Sequence, residues 1–393
     1  MKKQTQAIHL KYERRDAYDS LSVPVYNTLA YEFDNAAVMA EAFTDKIKAP
    51  DYSRVENPTV TNLERRVAAL TDAAHATAFN SGMAAISNTL MALAAQGKNI
   101  VTSKHLGNTY ALLVATLRRF GVKVRLRDLT NIEAVREAID DDTCCVFLEI
   151  LTNPQLEVAD LKAISEVAHE KNVPLVVDST VIPFTQFSAK SLGVDIEVVS
   201  SSKYVSGGAT SLGGLVIDYG TPYNGDFAKR LYGEMLFNFG AYMTPQVAYM
   251  QTIGLETLDA RYRVQSSNAL ELAKKLRSLP QIKLVNYVGL EDNPYHELAQ
   301  RQFGETAGAM ICIDLESKEA CFSFLNNLKL IHRATNLFDN RSLAIHPAIT
   351  IFGAFSESMR KSMDVKDTTI RLSIGLEDVD DLFEDIKQAV DSL

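Results

Sequence analysis

The sequence predicts an α/β fold in which helices cover both faces of a large, mostly parallel sheet. Across about residues 60–250, short apolar runs alternate with helical segments, the pattern of buried parallel strands and the helices that cover them. Apolar residues make up 47% of the chain and charged residues 23%, which allows a large core and excludes a disordered or collagen-like chain. The length of 393 residues exceeds one ordinary domain and predicts a second, smaller unit.

Residues 1–59 are predicted to form an irregular N-terminal arm, because they contain few periodic segments. Residues 60–259 are predicted to form the α/β domain. Its predicted helices cover 62–70, 84–95, 109–120, 132–139 and 159–170, and its predicted strands cover 99–102, 122–129, 144–150, 174–178, 196–200 and 212–219.

Residues 260–393 are predicted to form a smaller α+β C-terminal domain. A helix over 258–279 leads into this domain and ends before Pro280, which cannot continue a helix. Apolar runs predict strands over 308–315 and 369–374, and a last helix covers 378–393.

The charge balance narrows the possible partners. Lys and Arg number 40 and Asp and Glu number 49, so the net charge is −9, which argues against a nucleic-acid or anionic membrane partner. The N-terminus lacks an apolar leader segment, and no apolar stretch is long enough to span a bilayer. The four cysteines, Cys144, Cys145, Cys312 and Cys321, show neither metal nor disulfide spacing. We therefore expect a cytoplasmic protein, without a metal, that acts on a small molecule.

Lys203 and Asp178 are the first candidate catalytic residues. Lys203 follows three serines at the end of a predicted strand, and Asp178 ends another predicted strand. Since ligands bind outside the carboxyl ends of strands in open α/β sheets, the two side chains should converge. Pyridoxal phosphate requires a lysine for a Schiff base and an acid for its pyridinium nitrogen. The alternatives are a solvated loop lysine and a helix-capping aspartate.

A second candidate site is the run Ser81-Gly82-Met83, which precedes an alanine-rich helix. A glycine lets a phosphate approach the backbone, and the N-terminus of a helix offers it free N–H groups and a favourable dipole. The alternative is an ordinary serine N-cap.

Together with further segments, these runs resemble the Cys/Met-metabolism family of fold-type-I pyridoxal phosphate enzymes. The matching segments occur in the family's order and extend over nearly the whole chain: 52–59, 63–64, 81–85, 153–154, 178–180, 200–204 and 371–377. The resemblance implies an aminotransferase-like fold, in which residues 60–259 bind the cofactor.

The resemblance also implies roles for individual residues. Lys203 would hold the cofactor covalently, and Asp178 would pair with its ring nitrogen. The other implied cofactor-binding residues are Ser81, Gly82, Met83, Ser200 and Ser202 at the phosphate, Asn153 near the 3-hydroxyl, and Tyr52 and Arg54 reaching the phosphate of the neighbouring subunit. Arg371 and Ser342 would hold the α-carboxylate of the substrate. The shared site makes a homodimer the minimum active unit, and a tetramer is the expected assembly.

Three positions depart from the family pattern. Leu106 stands where relatives carry a tyrosine that stacks on the cofactor ring, with His105 and Tyr110 as neighbouring substitutes, although Tyr110 is expected to fill the core. Glu149 lacks the Ser-Pro that usually follows it, and Gly208 replaces a histidine that many relatives carry.

Within the family, segments 208–214, 254–258, 286–296 and 342–348 look most like O-acetylhomoserine sulfhydrylases. The expected reaction is γ-replacement on an O-acylated homoserine with sulfide or a thiol, giving homocysteine or methionine. The nearer alternative is a methionine or cystathionine γ- or β-lyase, although Asn108 stands where methionine γ-lyases carry a cysteine. The more distant alternative is a relative that binds the cofactor with poor turnover.

Overall fold

The computed structural model describes residues 1–10, 16–44, 46–103, 108–305 and 307–393, with Asn108 by its backbone alone. It confirms the α/β fold: the larger sheet has seven strands in the order β1-β7-β6-β5-β4-β2-β3, and only β7 runs antiparallel to its neighbours. The strands are β1 His75–Phe79, β2 Asn99–Ser103, β3 Lys123–Arg127, β4 Thr143–Glu149, β5 Leu175–Asp178, β6 Ile196–Val199 and β7 Gly214–Asp218.

The central strands are buried on both faces. In β5, Leu175 and Val177 belong to one apolar cluster, whereas Val176 between them belongs to the cluster on the other face. The helices before and around this sheet are α1 Lys3–His9, α2 Ala36–Phe43, α3 Pro58–Thr71, α4 Gly82–Leu93, α5 Asn108–Ala111, α6 Ile132–Ala138, α7 Leu161–His169, α8 Phe227–Arg230, α9 Phe237–Phe239 and α10 Pro245–Glu256.

A smaller, mostly antiparallel sheet lies in the C-terminal part. Its order is β10-β11-β12-β9-β8, and only β10 and β11 pair in parallel. The strands are β8 Leu284–Asn286, β9 Met310–Asp314, β10 His332–Arg333, β11 Leu343–Ile345 and β12 Thr369–Ser373. The helices of this part are α11 Leu258–Leu276, α12 His296–Phe303, α13 Lys318–Asn327, α14 Glu357–Ser362 and α15 Val379–Asp391.

Some sequence predictions differ from the structure. The helix predicted over 109–120 is three short pieces: α5, a π-helical turn Leu112–Thr116 and a 3-10 turn Leu117–Phe120 that ends at Gly121, where φ is +78°. Residue periodicity does not distinguish a regular helix from one that contains a wider turn. The predicted boundary at 259/260 falls in the first turn of α11, and the division into domains stays a prediction.

No helix in the described part of the chain is long and apolar enough to cross a membrane. The described residues also contain no group of three or more His, Cys, Asp and Glu side chains arranged to hold a metal ion. All four cysteines are free thiols.

Candidate active site

Lys203 lies just beyond the end of β6, where the chain turns through three serines into the 3-10 turn Tyr204–Ser206. Its Nζ donates a hydrogen bond of 2.7 Å to Oδ1 of Asn336. Burial and the positive charge of Arg371 lower the pKa of Lys203, and Asp178 partly opposes this shift. A lysine with a lowered pKa is a better nucleophile near neutral pH.

Asp178 ends β5, the strand next to β6, so the sheet brings it towards Lys203. Its Oδ1 accepts a hydrogen bond of 2.9 Å from the Thr180 backbone N–H. Burial raises the pKa of Asp178, while hydrogen bonds from Thr180 and the charge of Lys203 oppose the shift. A ring nitrogen that becomes protonated would supply the positive partner that this carboxyl needs.

The predicted phosphate site is a narrow gap between the start of α4 and Ser200. Ser81 caps the helix by accepting a hydrogen bond of 3.1 Å from the Ala84 backbone N–H. A Cβ on Gly82 would lie only 2.7 Å from Oγ of Ser200, so only glycine permits this approach. Met83 occupies the first turn and is 38% exposed. The gap therefore combines a helix N-terminus with a serine hydroxyl, a suitable environment for an anion.

Ser202 has a different environment. Its hydroxyl accepts a hydrogen bond of 2.9 Å from the Gly213 backbone N–H and donates one of 3.1 Å to the Gly213 carbonyl. The hydroxyl proton is therefore committed to the backbone, and Ser202 could donate it to a phosphate only if its bond to the Gly213 carbonyl opened. The phosphate role of Ser202 stays a prediction.

Arg371 lies in the middle of β12 and is 2% exposed. Its Nη1 donates a hydrogen bond to Oδ1 of Asn153, and its Nη2 donates one to the carbonyl oxygen of Asn336; each has a length of 3.2 Å. Its Nε is buried without a hydrogen-bond partner among the described residues. Burial lowers the pKa of Arg371 to about 10. A buried guanidinium that contacts only neutral acceptors is well suited to grip a carboxylate.

The structure places Ser342 in another hydrogen-bond network. Its hydroxyl donates to Oε2 of Glu377 over 2.9 Å and accepts from the Gly375 backbone N–H over 2.9 Å. Asn336, which sequence reasoning missed, is the residue that contacts both Lys203 and Arg371. The sequence offers no motif that marks Asn336 as a site residue; it is only an amide residue six positions before Ser342. The carboxylate role of Ser342 stays a prediction.

Tyr52 and Arg54 lie in the arm, beside α9. The Arg54 guanidinium lies 5.5 Å from the centroid of the Tyr52 ring and 5.2 Å from that of Phe237, and it donates to the Phe237 carbonyl. Tyr52 is 42% exposed. Neither side chain hydrogen-bonds to Gly82 or Ser200 within the described part of one subunit.

The structure describes two of the three departures from the family pattern, Glu149 and Gly208. His105 and Leu106 lie outside the described residues, as does the side chain of Asn108. Tyr110 meets the ring of Phe355 edge-on, with 5.5 Å between the centroids, and packs against apolar clusters. Glu149 ends β4 directly opposite Asp178 in the register, and burial together with the Asp178 charge raises its pKa well above the usual range.

The groups present fit pyridoxal phosphate. The carboxyl of Asp178 forms no ion pair within the described residues, Lys203 has a lowered pKa, and the Gly82–Ser200 gap would be closed by any side chain larger than that of glycine. These three features match the cofactor's ring nitrogen, aldehyde and phosphate.

Comparisons with known proteins agree with this chemistry. The family model described as Cys/Met metabolism PLP-dependent enzyme matches residues 4–391. The chain is 36% identical to L-methionine gamma-lyase from Fusobacterium nucleatum subsp. polymorphum over 394 residues, covering 99% of this chain and 98% of that protein.

Two solved structures are also similar. One is described as an O-acetylhomoserine (thiol)-lyase from Campylobacter jejuni and contains N'-pyridoxyl-lysine-5'-monophosphate. The two chains are 34% identical, the match covers 100% of each, and the TM-score is 0.95. The other is O-acetylhomoserine sulfhydrylase from Wolinella succinogenes, which is 43% identical over 85% of this chain and 96% of that chain, with a TM-score of 0.77.

Proposed function

The chain belongs to the Cys/Met metabolism family of PLP-dependent enzymes, and on that premise we propose that it catalyses γ-replacement on an O-acylated homoserine. Sulfide or a thiol is the nucleophile, and homocysteine or methionine is the product. The observation that carries the proposal is the convergence of Asp178 and Arg371 on Lys203, with Asn336 in contact with both Lys203 and Arg371. These are the groups that a cofactor ring and an amino-acid substrate need together.

Pyridoxal phosphate, when bound, supplies an electron-withdrawing ring that stabilises negative charge on the substrate carbon next to the amine. Asp178 keeps a negative charge at the ring nitrogen, which favours the protonated ring. The residues proposed to hold the rest of the cofactor are Ser81, Gly82, Met83, Ser200 and Ser202 at the phosphate and Asn153 at the 3-hydroxyl.

Lys203 moves the protons of the reaction. It would take a proton from Cα of the substrate, give that proton up so that the amine is neutral again, and then take one from Cβ; after the thiol has added, protons return to Cβ and Cα. The lowered pKa of Lys203 keeps a neutral amine available for this work. Arg371 orients the substrate through its α-carboxylate, with Ser342 as the second proposed carboxylate contact. The acyl group leaves as a carboxylate from Cγ, and the thiol adds there.

We further propose that Tyr52 and Arg54 complete the phosphate site of a neighbouring subunit, so that the active unit is at least a dimer and the dimers pair into a tetramer. Phe237 and Phe239, beside Arg54, are 46% and 56% exposed, which supports an interface at this face. Residues 1–59, 60–259 and 260–393 are the proposed arm, cofactor domain and C-terminal domain, and the cytoplasm is the proposed location.

The second candidate function is methionine or cystathionine cleavage. The 36% identity to an L-methionine gamma-lyase along nearly the full chain favours it. In γ-cleavage the thiol leaves from Cγ and a proton rather than a nucleophile adds there, and water then hydrolyses the enamine product to a keto acid and ammonia.

One assay separates these functions. Purified enzyme is given O-acetylhomoserine with sulfide, and in parallel methionine alone and cystathionine alone. We expect homocysteine from the first mixture at a rate well above keto-acid release from the other two. Keto acid from methionine or cystathionine as the main product would favour the lyase, and bound cofactor without any product would identify a binding relative.

A further inference from the structure

Residues 336–340, called here the Asn336 segment, run along the lysine segment 203–207. Every second residue of the Asn336 segment, three in all, contacts the lysine segment. Asn336 accepts the Lys203 hydrogen bond of 2.7 Å, Phe338 stacks on the ring of Tyr204 with 4.0 Å between centroids and 7° between planes, and Nδ2 of Asn340 donates to the Gly207 carbonyl over 3.2 Å. The ring stack is the middle contact of the three, and it involves Tyr204, the residue that follows Lys203 in the sequence.

Phe338 is held in an unfavourable backbone conformation. Its φ is +58°, in the left-handed region that bulky residues rarely adopt. Its ring is fully buried, and its backbone N–H donates a hydrogen bond of 2.7 Å to Oγ of Ser373, two residues after Arg371. Strained residues of this kind persist only where the surrounding structure holds them, and they cluster at functional sites.

Phe338 lies two residues after Asn336 on the same short segment of backbone. Asn336 uses two oxygens, since its side-chain oxygen accepts from Lys203 and its main-chain oxygen accepts from Arg371. A shift of the backbone two residues further along would disturb both contacts at once. The aromatic stack and the Ser373 hydrogen bond anchor this backbone to the lysine segment and to strand β12.

We propose that Phe338 is a positioning residue: its ring, stacked on Tyr204, holds Asn336 against both Lys203 and Arg371. Phe338 touches neither substrate nor cofactor in this role and acts through Asn336. The role at Lys203 follows from the contacts alone, whereas the role in substrate binding through Arg371 rests on the proposed function.

The test replaces the ring and keeps an apolar side chain. Phe338→Leu is compared with Phe324→Leu, a matched control whose ring is equally buried in α13 but makes no stack with Tyr204. Both variants should lose similar thermal stability. Phe338→Leu alone should raise KM for O-acetylhomoserine about tenfold, as expected when a hydrogen bond to a charged group is weakened. Equal KM effects in the two variants would overturn the proposal.

A second readout does not depend on the substrate. The protein is prepared without cofactor, and Lys203 is labelled with an amine-specific reagent at a series of pH values. Peptide mass mapping measures the extent of labelling, and the pH of half-maximal labelling is the midpoint. The charged groups that act on Lys203, Arg371 on β12 and Asp178 on β5, are unchanged in the variant. Loss of the Asn336 oxygen should lower the midpoint, because that oxygen favours the protonated amine. An unchanged midpoint would contradict the proposal even if no substrate is turned over.

A double-mutant cycle decides whether Phe338 acts through Asn336. If it does, Asn336→Ala should produce both effects, and adding Phe338→Leu to it should change neither KM nor the labelling midpoint further. Additive effects would overturn the proposal. Phe338→Met, which keeps more of the volume without an aromatic face, replaces Phe338→Leu in the cycle if the leucine variant does not fold. A wild-type enzyme inactive with every O-acylhomoserine would refute the proposed function but leave the labelling result to stand or fall by itself.

Discussion

The cofactor half and the substrate half of the site are built differently. Asp178 and Lys203 stand at or just beyond the ends of β5 and β6, two neighbouring strands of the larger sheet, so strand pairing places them. Arg371 is placed by β12 of the smaller sheet, but its guanidinium is oriented by Asn153 and Asn336, which lie 218 and 35 residues away in the sequence. In the cofactor half, the positions of the side chains depend on backbone pairing. In the substrate half, the orientation of the guanidinium depends on individual hydrogen bonds.

This difference predicts two kinds of mutational effect. Changes in the cofactor half should remove chemistry while leaving the fold intact, because the sheet does not depend on the reacting side chains. Changes in the substrate half should alter KM, because the orientation of Arg371 depends on a few long-range contacts.

The largest effect is expected for Lys203→Ala. The variant should lose at least about 10⁴-fold in turnover, since it removes both the covalent attachment and the proton carrier. Treatment with borohydride followed by mass mapping should find no cofactor attached to the protein. Lys190→Ala, at an exposed lysine paired with Asp72, is the control and should keep full labelling. Cofactor still attached by borohydride in the Lys203 variant would assign the linkage to another lysine.

Asp178→Asn should cause the next largest loss. Without the negative charge the ring nitrogen is less readily protonated, so turnover should fall about a hundredfold or more, which corresponds to about 2.7 kcal/mol in the barrier. Asp160→Asn, at the N-cap of α7, is a control for general effects of the same substitution. A near-normal rate in Asp178→Asn would show that the cofactor half does not use this carboxyl.

The arm provides a test of whether one cofactor site is completed by two subunits. Arg54→Ala and Lys203→Ala should each be inactive alone, because each removes a group that every site of its homodimer needs. Mixed subunits should regain activity, since one of the two sites in a mixed dimer would contain both intact residues.

Activity is measured after subunit exchange has been verified with differently tagged chains. Exchange without recovery would mean that Arg54 acts within its own subunit, as its contacts with Phe237 in a single chain would allow.

The substrate half is tested by comparing Asn336→Ala with Ser342→Ala. Asn336 contacts both Lys203 and Arg371, so its truncation should raise KM for the amino-acid substrate about tenfold and lower kcat as well. Ser342 binds Glu377 and Gly375, so its truncation should lower stability and change KM less. Steady-state kinetics and thermal unfolding of both variants give the answer. A larger KM effect at Ser342 would mean that its hydroxyl contributes more to carboxylate binding than the orientation of Arg371 by Asn336 does.

The two halves of the site also differ in how well their residues can be predicted from the sequence. Asp178 and Lys203 were predictable because each follows an apolar run that predicts a strand, and parallel strands end at the same edge of the sheet. Asn336 was not, because its contacts depend on the backbone of residues 336–340, where Phe338 has a positive φ. No local pattern of apolar and polar residues predicts such a conformation in a phenylalanine.

The same distinction holds for the fold. The buried strands β2, β4, β5 and β6 coincide with short runs rich in apolar and β-branched residues and were predicted. Strand β1 was missed because its five residues include two alanines and a histidine, which have little strand propensity, and it forms only by pairing with β7 at the edge of the sheet. Pairing between distant segments is decided by tertiary packing, which a residue pattern does not contain.

The last effect concerns stability rather than catalysis and is expected at Glu149, whose carboxyl lies beside that of Asp178 at the cofactor end of the sheet. Its pKa is raised by burial and by the Asp178 charge, so in the folded chain it holds a proton at pH values where the unfolded chain has released it. Its contribution to stability is therefore complete below the usual glutamate range and is lost as pH rises towards the raised pKa. Glu149→Gln keeps a neutral side chain at every pH and removes that loss.

Thermal unfolding of the cofactor-free wild type and Glu149→Gln variant between pH 5 and pH 9 measures this effect. The variant should gain stability relative to the wild type as pH rises, by about 1.4 kcal/mol for each pH unit over which only the unfolded chain ionises. Glu316→Gln is the matched control, because the Glu316 side chain is 81% exposed, and its difference from the wild type should stay flat over the same range. A flat difference for Glu149→Gln as well would mean that Glu149 is ionised beside Asp178, and the cofactor half would then carry two negative charges at the end of neighbouring strands.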